Sequence, residues 1–368
     1  MANKIKIATI VGTRPQFIKA ALISKTLNKH LYKGKRILKE VLINTGQHYD
    51  YEMCLKFFEN LKMKYPRYNL GVGSGSHGVQ TSKMIVRIEK VLLREKPDCV
   101  IVYGDGNSTL AGALVSSKLN IPVSHIEAGL RSFDRSMPEE INRIITDHIS
   151  QFLFCPTRIS VKNLKKEGIT KGAYLVGDIM CQLNKMMLKE AHKKSNILKN
   201  IGLRPKNYIL ATVHRQANAD IKHNLESIVE AFILSRKPIV FPVHPRTNKM
   251  LKKYKLLNML EKADNIILVE PVGYFDMLVL EYNAEKIITD SGGVQKEAYF
   301  MKIPCITLRD CTEWTETLTN SRNVLTGADR GKIIANLNSN IKPGRWSNFY
   351  GKSNVAEKIV DILKMNLF

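Results

Sequence analysis

The chain is short of acidic residues, aromatic residues and cysteine, and each shortage narrows what it can be. No apolar run approaches the ~18–20 residues that span a bilayer, so neither a membrane-spanning helix nor a membrane partner is expected. The six cysteines, Cys54, Cys99, Cys155, Cys181, Cys305 and Cys311, are scattered, with no C-x-x-C pair and no zinc spacing. They read as small core residues of a reduced, cytoplasmic protein. Met1-Ala2-Asn3-Lys4-Ile5-Lys6 holds no apolar signal core, which argues against secretion. There is no G-x-x-x-x-G-K loop and no three-glycine dinucleotide fingerprint. Only 33 Asp and Glu stand against 57 Lys and Arg, a formal charge of +24. Aromatics make up 7% and do not interleave with basic clusters, and no nucleic-acid-binding module is recognisable. Nucleic acid is therefore not an expected partner. The charge is suited to drawing in an anionic small molecule.

What is present is an α/β pattern. The 368 residues, 44% of them hydrophobic, suffice for two domains of ~150 residues, each with its own core. Short Val- and Ile-rich runs alternate with longer periodic segments, as in βα units around parallel sheets. Strands are expected over 5–12, 40–45, 98–104, 122–127, 151–155 and 173–176, with helices over 15–27, 51–61, 81–96, 108–119, 138–150 and 159–167. A second series has strands over 208–213, 238–243, 265–269, 286–289 and 303–308, and helices over 224–234, 275–282, 294–300 and 355–365. Residues 180–206, rich in lysine and without a β-branched run, read as a helical connection. The expected layout is a Rossmann-like domain over 1–178, a second over 179–350 that begins with this connection, and a helix in 351–368 packing back on the first. The fold class is two doubly wound α/β domains facing a cleft, with ligands bound beyond the carboxyl ends of the strands.

Residues just after strands therefore carry the most weight. Gly12-Thr13-Arg14-Pro15 opens a helix that also holds Lys19, so helix N-terminus and cations can face an anion, although an ordinary turn with surface cations would read the same. Asp105 follows the third strand and Glu127 the fourth. A lone Asp there serves as readily near an N-cap. Adjacent parallel strands, however, bring both to one rim, and Glu139 follows with Asn142 and Arg143 on the next turn. Three converging carboxylates favour acid–base work. In the second half, His214-Arg215 and His244-Pro245-Arg246 end strands and suit anion binding, while His244 could equally hold its own loop. Ser291-Gly292-Gly293 at a strand-to-helix turn offers backbone N–H groups to a phosphate, and Glu297 one turn later could accept from ribose hydroxyls.

Taken together these motifs resemble the non-hydrolysing UDP-N-acetylglucosamine 2-epimerase family, which has the glycosyltransferase group B fold. The resemblance runs over nearly the whole chain. It rests on Gly12-Thr13-Arg14-Pro15, Thr45-Gly46-Gln47-His48, Gly104-Asp105, His125-Ile126-Glu127-Ala128-Gly129-Leu130-Arg131, Pro138-Glu139-Glu140-Ile141-Asn142-Arg143, Val213-His214-Arg215, residues 289–297 and Arg309-Asp310. It implies C2 inversion of a UDP-2-acetamido sugar by anti elimination of UDP and re-addition. Asp105, Glu127 and Glu139 would be the acid/base groups. Arg14, Lys19 and His214 would stabilise the departing pyrophosphate, with His214 counted among the catalytic residues and Arg143 among the substrate-binding ones. Ser291, Gly292, Gly293 and Glu297 would hold phosphate and ribose. The resemblance implies no nicotinamide, no metal and a homodimer, and it puts Gln47-His48 and His244 where relatives bind a second, activating UDP-sugar.

Three departures bear on the substrate. The family's Arg-Pro-Glu is Arg14-Pro15-Gln16 here, the Thr after its catalytic Asp is Gly106, and its Thr-Glu-Arg-Pro-Glu is Thr312-Glu313-Trp314-Thr315-Glu316. Replacing an Arg by Trp314 removes a charge and supplies an aromatic face. The sugar environment therefore differs, and Gln16-Phe17-Ile18-Lys19-Ala20, Val294-Gln295-Lys296-Glu297-Ala298 and the Glu313-Trp314 pair resemble the branch acting on UDP-2,3-diacetamido-2,3-dideoxyglucuronate more than the one acting on UDP-N-acetylglucosamine. Lys296 could partner the C6 carboxylate of the diacetamido uronate, but a solvated helix lysine is the preferred reading. A retaining glycosyltransferase would share the fold but has no use for several carboxylates around C2. A hydrolysing epimerase typically changes the Arg-Pro segment, which is kept here.

Overall fold

The computed structural model describes residues 5–29, 31–32, 35–36, 38–47, 65–340, 344–351 and 354–367; the side chains of Arg14 and of residues 31–36 lie outside this description, as does the helix expected over 51–61. The chain divides into two compact units, Met1–Leu183 with Asn348–Phe368, and Asn184–Ser347. The first division falls five residues after the expected one, inside the helix Ile179–Lys194. The connection expected as helical to residue 206 stops being a continuous helix at Lys194. Ser195 interrupts it by donating to Asp276 Oδ1 (2.6 Å) and accepting from the Ile197 amide (3.2 Å), and only the turn Ile197–Asn200 follows.

The first unit is built on a seven-stranded parallel sheet. Its strands are β1 (Ile5–Val11), β4 (Leu38–Asn44), β5 (Tyr68–Asn69), β6 (Cys99–Tyr103), β7 (Val123–Ile126), β8 (Phe152–Cys155) and β9 (Ala173–Leu175), in the order β5-β4-β1-β6-β7-β8-β9. A separate antiparallel pair, β2 (Leu31–Tyr32) and β3 (Lys35–Arg36), lies between β1 and β4 in the chain. The sheet strands carry near-continuous apolar runs because both faces are covered. Ala8, Ile10, Val41, Ile43, Val100 and Val102 pack with Met84, Ile88, Ala111 and Val115 from the helices His77–Glu95 and Asn107–Lys118. The helix Arg14–Lys29 packs on β1 and β4 and also meets the C-terminal helix Val355–Leu367, a member of this unit. Gln182 fastens that last helix, accepting from the Ala356 amide (2.9 Å) and donating to Glu357 (3.0 Å).

The second unit has a six-stranded parallel sheet of β10 (Ile209–Thr212), β11 (Ile239–Pro242), β12 (Ile266–Val269), β13 (Lys286–Thr289), β14 (Cys305–Thr307) and β15 (Asn323–Leu325), ordered β12-β11-β10-β13-β14-β15. Alternate residues of β10, and Tyr208 just before it, serve opposite cores. Ile209 and Ala211 pack with Leu225, Val229 and Phe232 on one face, and Tyr208 and Leu210 with Leu280 and Ala298 on the other. In both sheets the first strand sits inside, and the chain order reverses beside it, at β1/β6 and at β10/β13. Such switch points are where open α/β sheets bind ligands, beyond the carboxyl ends of their strands. The residues at those two places are the ones singled out from sequence.

Candidate active site

At the β1/β6 switch point the chain leaves β1 through Gly12. A Cβ there would lie 2.2 Å from Thr45 Oγ1 and 2.9 Å from Ser108, so only glycine lets the three segments meet. Arg14 opens the helix, and its side chain lies outside the described residues. One turn on, buried Lys19 forms an ion pair with Glu127. Glu127 follows β7 with φ +74°, a left-handed conformation that costs a non-glycine residue about 1–2 kcal/mol. The amides of Glu127 and Ala128, both bonded to the Phe154 carbonyl at 3.2 Å, hold this turn.

Asp105 follows β6, which pairs with β7 so that Tyr103 lies beside Ile126 and the Gly104 amide donates to the Ile126 carbonyl (2.9 Å). The two carboxylates thus leave adjacent strand ends, each with its own cation. Arg143 Nη2 meets Asp105 Oδ2 at 2.5 Å, and its Nη1 meets Glu140 Oε2 at 2.9 Å. Asn142 donates to the Asp105 carbonyl (2.9 Å). The Asp105 side chain remains 38% exposed, open to a reacting group, whereas that of Glu127 is 5% exposed.

The third carboxylate divides in two. Glu139 is exposed on the first turn of the helix Pro138–His148, while Glu140 turns inward and accepts from the Ser132 amide (2.9 Å), the Ser132 hydroxyl (3.0 Å) and the Phe133 amide (2.9 Å). Burial opposes the Glu140 charge, yet these amides and Arg143 hold its carboxyl below the ordinary range. Sequence reasoning assigned Glu140 no role. Beneath it all lies a buried group that the sequence shows only as part of a motif. His125 faces two acceptors, Asp147 Oδ1 and the Gly104 carbonyl, each at 2.7 Å, and Asp147 also takes the Gly129 amide (3.0 Å) and Arg131 Nη1 (2.7 Å). Burial opposes the Asp147 charge, but His125 and Arg131 outweigh it and keep this carboxyl low.

At the β10/β13 switch point the organiser is Asp290, fully buried and assigned no role from sequence. It accepts from the His214 amide (3.1 and 3.0 Å), the Arg215 amide (2.9 Å) and Asn218 Nδ2 (3.2 Å), and lies 3.2 Å from His214 Nδ1. Burial draws His214 below its ordinary value against the pull of Asp290, so its imidazole is neutral at pH 7. The His244 ring lies 5.4 Å from that of His214, and His244 Nδ1 accepts from the Arg246 amide, capping its own helix. Gln47 Oε1 accepts from the Ser108 amide (3.3 Å); His48 lies outside the described residues.

Ser291 caps the helix Gly292–Met301, its hydroxyl accepting from the Val294 amide, and leaves Gly292 and Gly293 at the start of the helix. A Cβ on Gly292 would lie 2.6 Å from Glu313 Oε1 and 3.5 Å from Trp314 Nε1, so the segment that carries the Arg-to-Trp departure borders the anion-binding turn. Glu297 is half-buried on this helix. Burial pushes the carboxyl of Glu281, on the neighbouring helix Tyr274–Asn283, well above its usual value, and the charge of Glu297 adds to it. Lys296 is a correction: it is buried, with its ammonium 3.9 Å from the Trp314 ring centroid, and is not a solvated lysine. Among the described residues no His, Cys, Asp and Glu cluster has the form of a metal site.

The chain is similar to known proteins over nearly its whole length. A family model described as UDP-N-acetylglucosamine 2-epimerase matches residues 30–364. A UDP-N-acetylglucosamine 2-epimerase homolog of Methanococcus maripaludis is 54% identical over 362 residues, 98% of this chain and 99% of the relative. A UDP-2,3-diacetamido-2,3-dideoxy-D-glucuronate 2-epimerase of Pseudomonas aeruginosa is 43% identical over 98% of this chain and 99% of its own length. The crystal structure of Methanocaldococcus jannaschii UDP-GlcNAc 2-epimerase in complex with UDP-GlcNAc and UDP superimposes with a TM-score of 0.87 at 46% identity, covering 98% of this chain and all of the other.

Proposed function

The chain belongs to the UDP-N-acetylglucosamine 2-epimerase family, and from that premise we propose that UDP-N-acetylglucosamine is the sugar nucleotide it inverts at C2. Family membership makes it a UDP-sugar 2-epimerase; the choice of acetamido sugar is the finer step. The Trp314 departure favours the diacetamido uronate, but the similar proteins weigh more heavily toward UDP-N-acetylglucosamine. The buried Lys296–Trp314 pair keeps the uronate as a second reading, since a cation beside the phosphate turn suits a substrate with an added carboxylate.

One observation carries the chemistry: Asp105 and Glu127 leave adjacent strand ends, each paired with a cation. A base takes the C2 proton, the C1–oxygen bond to UDP breaks, and a 2-acetamidoglucal remains. UDP then adds back at C1 while a proton reaches the opposite face of C2. Asp105, Glu127 and Glu139 supply the acid/base groups this requires. Arg14, Lys19 and the neutral His214 stabilise the departing pyrophosphate, and Arg143 orients the Asp105 carboxylate. Backbone N–H groups at Ser291, Gly292 and Gly293 take phosphate oxygens at a helix N-terminus, and Glu297 accepts from ribose. Incubation with UDP-N-acetylglucosamine in D₂O should place deuterium at C2. Absence of exchange with this sugar and with the diacetamido uronate would falsify the reading.

The assembly is a dimer of the first unit. Val79, Val86 and Leu93 recur every seven residues on the helix His77–Glu95 and are about half exposed, at 49, 52 and 56%. Ile141 and Ile145 lie exposed on Pro138–His148, and both helices pack on Asn107–Lys118. Such a stripe on a soluble surface suits a second copy of itself.

A further inference from the structure

Gln16 lies on the first turn after Gly12, is 3% exposed, and uses its amide completely. Its Oε1 accepts from the Gly12 amide (2.7 Å), the Thr13 amide (3.1 Å) and the Ser108 hydroxyl (2.9 Å). Its Nε2 donates to the Tyr103 carbonyl (2.9 Å) and to Thr109 Oγ1 (2.9 Å). The neighbours leave no choice of orientation. Two backbone N–H groups can only donate, so an oxygen must face them. The Tyr103 carbonyl can only accept, and Thr109 gives its own proton to that carbonyl (2.6 Å), so an NH₂ must face both.

We propose that Gln16 is a positioning residue for the acid/base step, its neutral amide locking the anion-binding turn after β1 to the loop that carries Asp105. Gly12, Thr13 and Arg14 lie on one side of it. Tyr103, Ser108 and Thr109 bracket Asp105 on the other. A carboxylate would keep the first set of bonds but would aim an unprotonated oxygen at the Tyr103 carbonyl, pushing the two segments apart. The space fits this use. A Cβ on Gly106 would lie 3.3 Å from Gln16 Nε2, so the residue after Asp105 leaves room for the amide. The catalytic half of the inference rests on the epimerase reading. The structural half does not.

Gln16→Glu and Gln16→Met separate the two halves. At about pH 8.5, Q16E should lower kcat by about tenfold or more, with KM within about threefold, because a misplaced acid/base group costs turnover more than binding. Its melting temperature should fall by about 2–4 °C. Both deficits should shrink toward pH 6, where the buried carboxyl regains a proton and can donate to Tyr103. Q16M, with no donor at any pH, should show the deficits without recovery. Q16E matching the native chain at high pH, or Q16E and Q16M showing the same pH-independent loss, overturns the proposal. Should Q16E not fold, Q16M with a raised KM and native kcat overturns it, and a lowered kcat with native KM supports it. If the native chain exchanges no deuterium at C2, the epimerase reading fails while the pH-dependent melting gap still tests the clamp.

Discussion

The ammonium of Lys296 stands 3.9 Å from the centroid of the Trp314 indole, and both side chains are buried. Helix periodicity alone leaves Lys296 on a solvated face. Packing of Gly292–Met301 against the 3₁₀ segment Thr315–Ser321 brings it inside. A desolvated cation over tryptophan contributes about 2 kcal/mol. The pair is therefore a fixed element of the second unit, and the turn at Gly292 borders it.

Lys296→Met should sort the two substrates. If the ammonium meets a substrate carboxylate, kcat/KM for the diacetamido uronate should fall by about tenfold or more, the worth of one charge-assisted hydrogen bond. UDP-N-acetylglucosamine has no such group and should lose no more than about threefold. Steady-state kinetics with both sugars checks it; equal losses would mean the lysine supports the fold and does not select the sugar.

Glu127→Gln and Asp105→Asn should each remove most turnover while UDP binding, measured by calorimetry, stays within about threefold. Their costs in stability should differ. Glu127 and Lys19 are a buried pair, and breaking such a pair costs about 3–5 kcal/mol because one charge is left inside. Lys19→Met combined with Glu127→Gln should therefore cost less than the sum of the two single changes in urea unfolding. Asp105, with its side chain 38% exposed, should show a much smaller loss. Near-native kcat in Asp105→Asn would end its acid/base role.

How much was legible follows from what each residue depends on. Lys286–Thr289 forms over the range its apolar run suggests, and the other long strands shift by one or two residues at their ends. The edge strands Tyr68–Asn69 and Asn323–Leu325 lie outside the expected runs, whereas the similarly short Ala173–Leu175 and Cys305–Thr307 fall within them. Helices Pro245–Lys253 and Arg330–Leu337 were also missed, although His244-Pro245 and Asp329 are start signals that could have located them. In the candidate site, strand-end position singles out Asp105, Glu127 and His214, and the structure places each just beyond a strand. The inward turn of Glu140, the buried Asp147 and the organiser Asp290 depend on contacts across 8 to 76 positions of chain, which composition does not show. Gln16 and Gly106, two departures noted separately, prove to be neighbours.

Acid should weaken the second unit through His214. Burial makes the folded chain hold this proton less tightly than the unfolded chain, whose value is near 6.5. Above that value neither state is protonated and stability does not depend on the group. As pH falls through 6.5 toward the lowered folded value, the unfolded chain takes up protons first, so stability declines. His244, lowered by burial and by the neighbouring His214, acts in the same direction, with Arg215 and Arg246 alongside and Asp290 opposing. Melting temperature should drop between about pH 7.5 and 5, and His214→Gln should show a shallower drop. An unchanged slope in that variant would remove His214 as the cause.

The exposed stripe on His77–Glu95 leads to the last expectation. Val79, Val86 and Leu93 sit seven residues apart, so they share one helix face, while the buried Met84, Ile88, Val91 and Leu92 pack the opposite face into the sheet core. A two-fold contact would place each stripe against its own copy, doubling the effect of any single change. Val86→Glu puts two like charges into such a contact without touching the core. Light scattering behind size exclusion should give twice the chain mass for the native protein and a monomer for Val86→Glu. Because Val86 sits on a helix and not at the strand ends that carry Asp105, Glu127 and His214, the monomer should keep its UDP affinity. A native monomer, or a Val86→Glu dimer, would rule out this face.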